Sequence, residues 1–225
     1  MDSGPTVFIL DDDESFAGAL ERLLHSEGFV TRVWTSVTRF LTEHDADIPG
    51  CLISDLVMPE MSGLELQTAL LNGGCNRPIV FITGQGDVPT TVAGMRAGAV
   101  SFLSKPVRRA ELLEMLHEAL ARDATCRATQ REQRRILERL RALTSRETQV
   151  LDLVAKGLLN KQIAGRLGTT EKTIKKYRGR LMHKMQVKSV AQLVQMLVHV
   201  REPLSNVPRK PAPSATQTDP SRASG

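Results

Sequence analysis

Over the first half of the chain, short apolar runs alternate with amphipathic stretches. The runs at 6–10, 30–34, 51–54, 79–83 and 100–104 have the length of strands and stop at polar or turn-forming residues. Between them apolar residues recur at helical spacing. Phe16, Leu20, Leu23 and Leu24 form one such set, followed by Val37, Phe40 and Leu41, by Leu66, Ala69 and Leu70, and by Val92, Met95 and Arg96 with alanines between. Five strands alternating with helices predict an α/β domain over 1–122, a doubly wound parallel sheet covered on both faces. Such a sheet takes its ligand beyond the carboxyl ends of the strands.

The second half changes period. Leu112, Leu113, Leu116 and Leu120 give an apolar helix face, which fades from Ala121 to Gln133 and returns at Ile136, Leu137 and Leu140. No Pro or Gly interrupts the chain between Val107 and Gly157. This predicts one long helix over 108–141, or two nearly continuous ones, with 123–142 as the linker; a flexible coil is the alternative. From 143 to 202 the pattern is all helical, a four-helix domain. Thr144 and Glu147 form a capping box, Gly157 and Gly168 end helices, and Asn160, Thr170 and Ser189 stand where helices begin. Beyond 203 the chain is rich in Pro, Ser, Thr and basic residues and has no aromatic residue, so 203–225 is expected to be disordered.

Charge sharpens this division. The net charge of +5 conceals 9 Lys+Arg against 18 Asp+Glu in 1–123 and 21 against 7 in 124–225. An acidic module is joined to one suited to a polyanion. Three scattered cysteines without a Cys-x-x-Cys argue against a disulfide framework or a zinc site. The early first strand leaves no room for a signal peptide, and no apolar run approaches the ~20 residues that span a bilayer. The expectation is a soluble cytoplasmic protein with no membrane partner.

The first strand runs into Asp11-Asp12-Asp13-Glu14, and the third ends at Asp55. In a parallel sheet these ends share an edge, so Asp11, Asp12 and Asp55 should converge. Three ionised carboxylates need a cation, and a hard divalent ion such as Mg²⁺ suits oxygen ligands. The fourth strand ends at Thr83 and the fifth is followed by Lys105. Carboxylates, a hydroxyl and an ammonium are the parts that hold a tetrahedral anion beside a metal.

Four stretches carry a family resemblance: Phe-Ile-Leu-Asp-Asp-Asp, Ile-Ser-Asp-Leu-Val-Met-Pro-Glu-Met-Ser-Gly, Phe-Ile-Thr-Gly-Gln-Gly-Asp-Val-Pro and Ala-Gly-Ala-Val-Ser-Phe-Leu-Ser-Lys-Pro. Residues 5–122 resemble the receiver domain of two-component response regulators, the FixJ branch in particular. The resemblance implies a flavodoxin-like fold, Asp55 as phosphoacceptor, and Mg²⁺ held by Asp11, Asp12, Asp55 and the Val57 carbonyl. It also implies Thr83 and Lys105 as phosphoryl contacts, Phe102 as a switch aromatic, and a sensor histidine kinase as donor.

Residues 160–167 and 171–185 match helix-turn-helix spacing, and the second helix carries Lys172, Lys175, Lys176, Arg178, Arg180 and Lys184, most of them off its apolar face. Residues 143–198 resemble the LuxR-type helix-turn-helix through Leu-Thr-Ser-Arg-Glu-Thr-Gln-Val-Leu, Asn-Lys-Gln-Ile-Ala-Gly-Arg-Leu-Gly and Glu-Lys-Thr-Ile-Lys-Lys-Tyr-Arg. That resemblance implies base contacts from Lys175 and Lys176 and phosphate contacts from Asn160, Lys161, Lys172 and Thr173. Tyr177 stands where a histidine is common and Gly179 where a basic residue is common, which leaves Arg178 or Arg180 as the third specificity residue. The implied partners are double-stranded promoter DNA, a second copy of the chain after phosphorylation and, further, RNA polymerase.

An enzyme with an aspartyl nucleophile is the first alternative. Hydrolases resembling the haloacid dehalogenases place that residue after the first strand in an Asp-x-Asp pattern, whereas Asp55 ends the third and no cap domain follows. An RNA-binding output is the second. It lacks stacking platforms, since Tyr177 is the one aromatic residue of the basic half. The sequence therefore predicts a transcriptional response regulator and not an enzyme.

Overall fold

The computed structural model describes residues 4–84 and 98–201. The expected helix around Val92, Met95 and Arg96 and the tail at 203–225 lie outside them. In the first unit the elements run β1 (Thr6–Leu10), α1 (Glu14–Ser26), β2 (Val30–Trp34), α2 (Val37–Glu43), β3 (Gly50–Asp55), α3 (Gly63–Asn72), β4 (Ile79–Thr83), β5 (Ser101–Ser104) and the start of α4 (Arg109–Arg141). The sheet order is β2-β1-β3-β4-β5, with every pairing parallel. This is the flavodoxin-like doubly wound order, in which the chain reverses direction beside β1 and opens a crevice between β1 and β3.

Alternation explains why β1, β3 and β4 are buried throughout. Val7 and Ile9 of β1, Cys51 and Ile53 of β3 and Val80 and Ile82 of β4 join Leu20, Leu24, Leu112 and Leu116 in one core. Phe8, Leu10, Leu52, Ile79 and Phe81, the intervening residues, join Phe40, Leu66 and Leu70 on the opposite face. Each such side chain contributes roughly 1.5–3 kcal/mol by leaving water. The edge strand β2 is only partly covered, and its residues are half-buried or exposed.

The second unit begins at Arg131 and holds the end of α4 with α5 (Ser145–Ala155), α6 (Asn160–Leu167), α7 (Glu171–Met185) and α8 (Val190–Arg201). Val150, Val154, Ile163, Ile174, Leu181 and Leu193 form its core, with Ile136 of α4. The capping box is present, Glu147 N–H donating to Thr144 Oγ1 and Thr144 N–H to Glu147 Oε2. Asn160 is not the cap expected of it. It is the first residue of α6, and the preceding Leu159 N–H donates to Gln162 Oε1 at 2.8 Å. A Gln three residues on can satisfy that donor as well as an Asn cap would satisfy its own.

The stretch expected as a linker, 123–142, is divided between the two units, and the first extends to Gln130, past the expected edge at 122. Asp123 is buried and accepts from Gly50 N–H at 2.9 Å. Arg127 pairs with Asp123 and donates to the carbonyls of Ala46, Asp47 and Ile48. At the other end Arg139 donates to Met185 O and Gln186 Oε1. Between them 128–135 is exposed apart from half-buried Gln133.

Candidate functional site

β1 and β3 end side by side, with Leu10 opposite Ser54, so Asp11 and Asp55 leave the sheet together. The three aspartates after β1 divide their work. Asp13 caps α1, accepting from the N–H groups of Ser15 and Phe16 at 2.9 and 3.2 Å. Asp11 turns inward, buried, and accepts from Asp13 N–H at 2.9 Å. Asp12 stays exposed. Carboxylate oxygens of Asp11, Asp12 and Asp55 lie within 4.8 Å of one another. Asp55 is 9 % exposed and accepts from Val57 N–H at 3.1 Å, while Val57 itself projects into solvent.

Lys105 enters from beyond β5. Its N–H donates to Thr83 O at 2.8 Å, fixing the loop, and its Nζ donates to Asp55 at 2.8 Å and Asp11 at 2.9 Å. The ammonium also sits 4.1 Å from the centre of the Phe16 ring. Burial pushes the Asp11 carboxyl up from its ordinary range, against the pull of Lys105. For Lys105 burial acts downward, but hydrogen bonds to Asp55 and Asp11 outweigh it and the net shift is upward. Three clustered carboxylates, two of them buried and one open to solvent, are a donor set that fits a hard divalent cation.

Thr83 is buried at the end of β4. Phe102 pairs with Phe81 across β4 and β5, half-buried, its ring centre 5.1 Å from that of Phe81. Asp11, Asp12, Asp55, Thr83 and Lys105 are thus all at strand ends along one edge of the sheet, as their sequence positions required. Two contributors were not legible. A Cβ on Gly63 would lie 2.6 Å from the Phe81 ring and 2.9 Å from Asp55 O, so the turn that leads out of Asp55 needs a glycine there. The Ser-Gly start of α3 hinted at a close approach. Phe16 gave no signal beyond ordinary helical periodicity.

In the second unit, Lys161, Lys172, Lys175, Lys176 and Arg180 are exposed on α6 and α7, with Gly179 beside them. Thr173 hydrogen-bonds Thr170 through their hydroxyls, within the cap of α7. Arg178 is half-buried and donates to Asn160 Oδ1 at 2.8 Å, which locks α6 to α7. Lys184 leaves the basic face that the sequence put it on. It pairs with buried Glu147 at 2.6 Å and caps Ala142 O. Hydrogen bonds from Lys184 and the Thr144 N–H hold the Glu147 carboxyl below its ordinary range.

Comparison with known proteins agrees with both halves. Residues 7–117 match the response regulator receiver domain, and residues 141–197 match the LuxR family of bacterial regulatory proteins. Nodulation protein W of Bradyrhizobium diazoefficiens is 42 % identical over 84 % of this chain and 84 % of its own length. Transcriptional regulatory protein FixJ of Azorhizobium caulinodans is 37 % identical over 84 % and 90 %. The solved structure of the response regulator StyR is 43 % identical with a TM-score of 0.77, covering 86 % of this chain and 98 % of that one. With both domains matched in the same order, the chain belongs to the FixJ/LuxR-type family of two-component response regulators, a receiver joined to a LuxR-type DNA-binding domain.

Proposed function

We propose that Asp55 takes a phosphoryl group from a cognate sensor histidine kinase, and that this change promotes pairing of two chains on promoter DNA in the cytoplasm. The observation that carries the reading is the convergence of the Asp11, Asp12 and Asp55 oxygens within 4.8 Å, with Lys105 bridging two of them. Mg²⁺ bound by Asp11, Asp12, Asp55 and the Val57 carbonyl would neutralise charge on the phosphoryl oxygens. The Asp55 carboxylate attacks phosphorus in line; an O–P bond forms and the donor's P–N bond breaks. Lys105, whose Nζ already donates to Asp55, would contact an equatorial oxygen. Thr83 supplies a hydroxyl to the same group, and Phe102 follows it inward against Phe81, changing the surface beside β5.

At the output end Lys175 and Lys176 read base edges, while Asn160, Lys161, Lys172 and Thr173 position the helix on phosphates. Arg178 commits a donor to Asn160, so the exposed Arg180 is the better-placed substitute for the missing basic residue at Gly179. RNA polymerase is a further partner of the bound dimer. The test is phosphoryl uptake from acetyl phosphate. Asp55→Asn should take up no label, and Asp11→Ala or Asp12→Ala should need far more Mg²⁺. Wild-type labelling of Asp55→Asn would remove the site assignment.

A further inference from the structure

At the opposite edge of the sheet from Asp55, a cavity of about 20 Å³ lies between the loop before β4 and helix α4. Two cysteines from separate elements line it, Cys75 from the loop and Cys126 from α4, both half-buried. Arg77 lines it too and is 5 % exposed. Its guanidinium donates to Asp45 O and Ile48 O at 2.8 and 3.1 Å, and lies 3.8 Å above the Phe8 ring. Its Nε is buried with no hydrogen-bond partner. Arg122 adds a second cation to the lining. Phosphoryl transfer uses none of these groups.

We propose that Cys75 and Cys126 are a redox pair, oxidised by hydroperoxide to a reversible disulfide. The Cys75 sulfur attacks one peroxide oxygen and the O–O bond breaks, leaving a sulfenic acid and releasing water. The Cys126 sulfur then attacks Cys75, the S–S bond forms, and the sulfenic oxygen leaves as a second water. Two thiols lose two electrons, and hydrogen peroxide is reduced to two waters. The unpartnered Arg77 Nε–H is a donor suited to the sulfenic oxygen. The product ties the loop before β4 to α4. Transient disulfides of this kind are the sort that a reducing compartment permits. Cys51 is an internal control, since burial in the sheet pushes its thiol up to about 12.

The experiment treats the full chain with hydrogen peroxide, alkylates free thiols and maps peptides without reduction. The expected result is a Cys75–Cys126 linked peptide that a dithiol reductant reverses, with Cys51 alkylated only after unfolding. Cys126→Ser should leave Cys75 as a sulfenic acid, read as a rise in dimedone adduct over wild type. Absence of a linked peptide, a link through Cys51, or equal dimedone labelling with and without Cys126 overturns the proposal.

Discussion

Adding one methyl group at Gly63 is the sharpest probe of how the phosphoacceptor loop is packed. The new Cβ would lie 2.6 Å from Phe81 Cε1 and 2.9 Å from Asp55 O, where carbon contacts settle at about 3.5–4.0 Å. Neither neighbour yields easily. Phe81 is fully buried and packed against Phe102, and the Asp55 oxygen is strand backbone. Relief must come from moving α3 or the end of β3, an overpacking cost of about 1–3 kcal/mol. At roughly 4–8 °C per kcal/mol for a small domain, the receiver's thermal transition should fall by several degrees. Gly18→Ala is the matched control. It lies within α1, and its Cβ would meet only the tip of Arg22 at 3.5 Å. It should stabilise by about 0.5–1 kcal/mol because alanine loses less freedom in a helix. Circular dichroism melts of both full-length variants measure the two signs. An unchanged or raised transition for Gly63→Ala would refute the packing argument.

Two further predictions concern the DNA-binding unit. Lys184→Met should destabilise it by about 1–3 kcal/mol at neutral pH, since it strips a charged hydrogen bond from buried Glu147. Because folding lowers the Glu147 pKa, that stability is present above the ordinary glutamate value near 4.5 and is lost as pH falls through the lowered folded value. Wild-type stability should therefore fall as pH drops below about 4.5 towards the lowered folded value, and a pH series by circular dichroism in which Lys184→Met keeps the same acid sensitivity would refute the link. On DNA, Lys176→Ala should cost roughly 1–3 kcal/mol on the cognate site and little on random duplex, and Lys172→Ala should weaken both and reduce the salt slope by about one. Equal losses on both duplexes for Lys176→Ala would refute base reading.

What the sequence made legible was whatever depends on period and order. Strands 6–10, 30–34 and 79–83 run where expected, closed by Asp11, Thr35 and Gly84. Asp11, Asp55, Thr83 and Lys105 converge because strand ends in a parallel sheet share an edge. Contacts that depend on side-chain direction were not legible. Lys184 reads as one more cation on a basic helix, yet it reaches back to Glu147. Asn160 has the composition of a cap, but the cap position falls one residue earlier, on Leu159, and the Asn160 side chain accepts from Arg178 instead. Gly63 matters through a ring far along the chain, and no local pattern encodes that distance.

The Asp123–Gly50 hydrogen bond and the Arg127 grip on the loop before β3 carry a consequence for modularity. A receiver cut at 122 would leave the Gly50 N–H without its acceptor and the Ala46 and Asp47 carbonyls without their Arg127 donor. Residues 123–127 travel with the receiver as part of its body, although they lie beyond the stretch that defines the family. A chimera grafting this receiver onto another output module has its natural splice among the exposed residues 128–135, where the helix touches neither core.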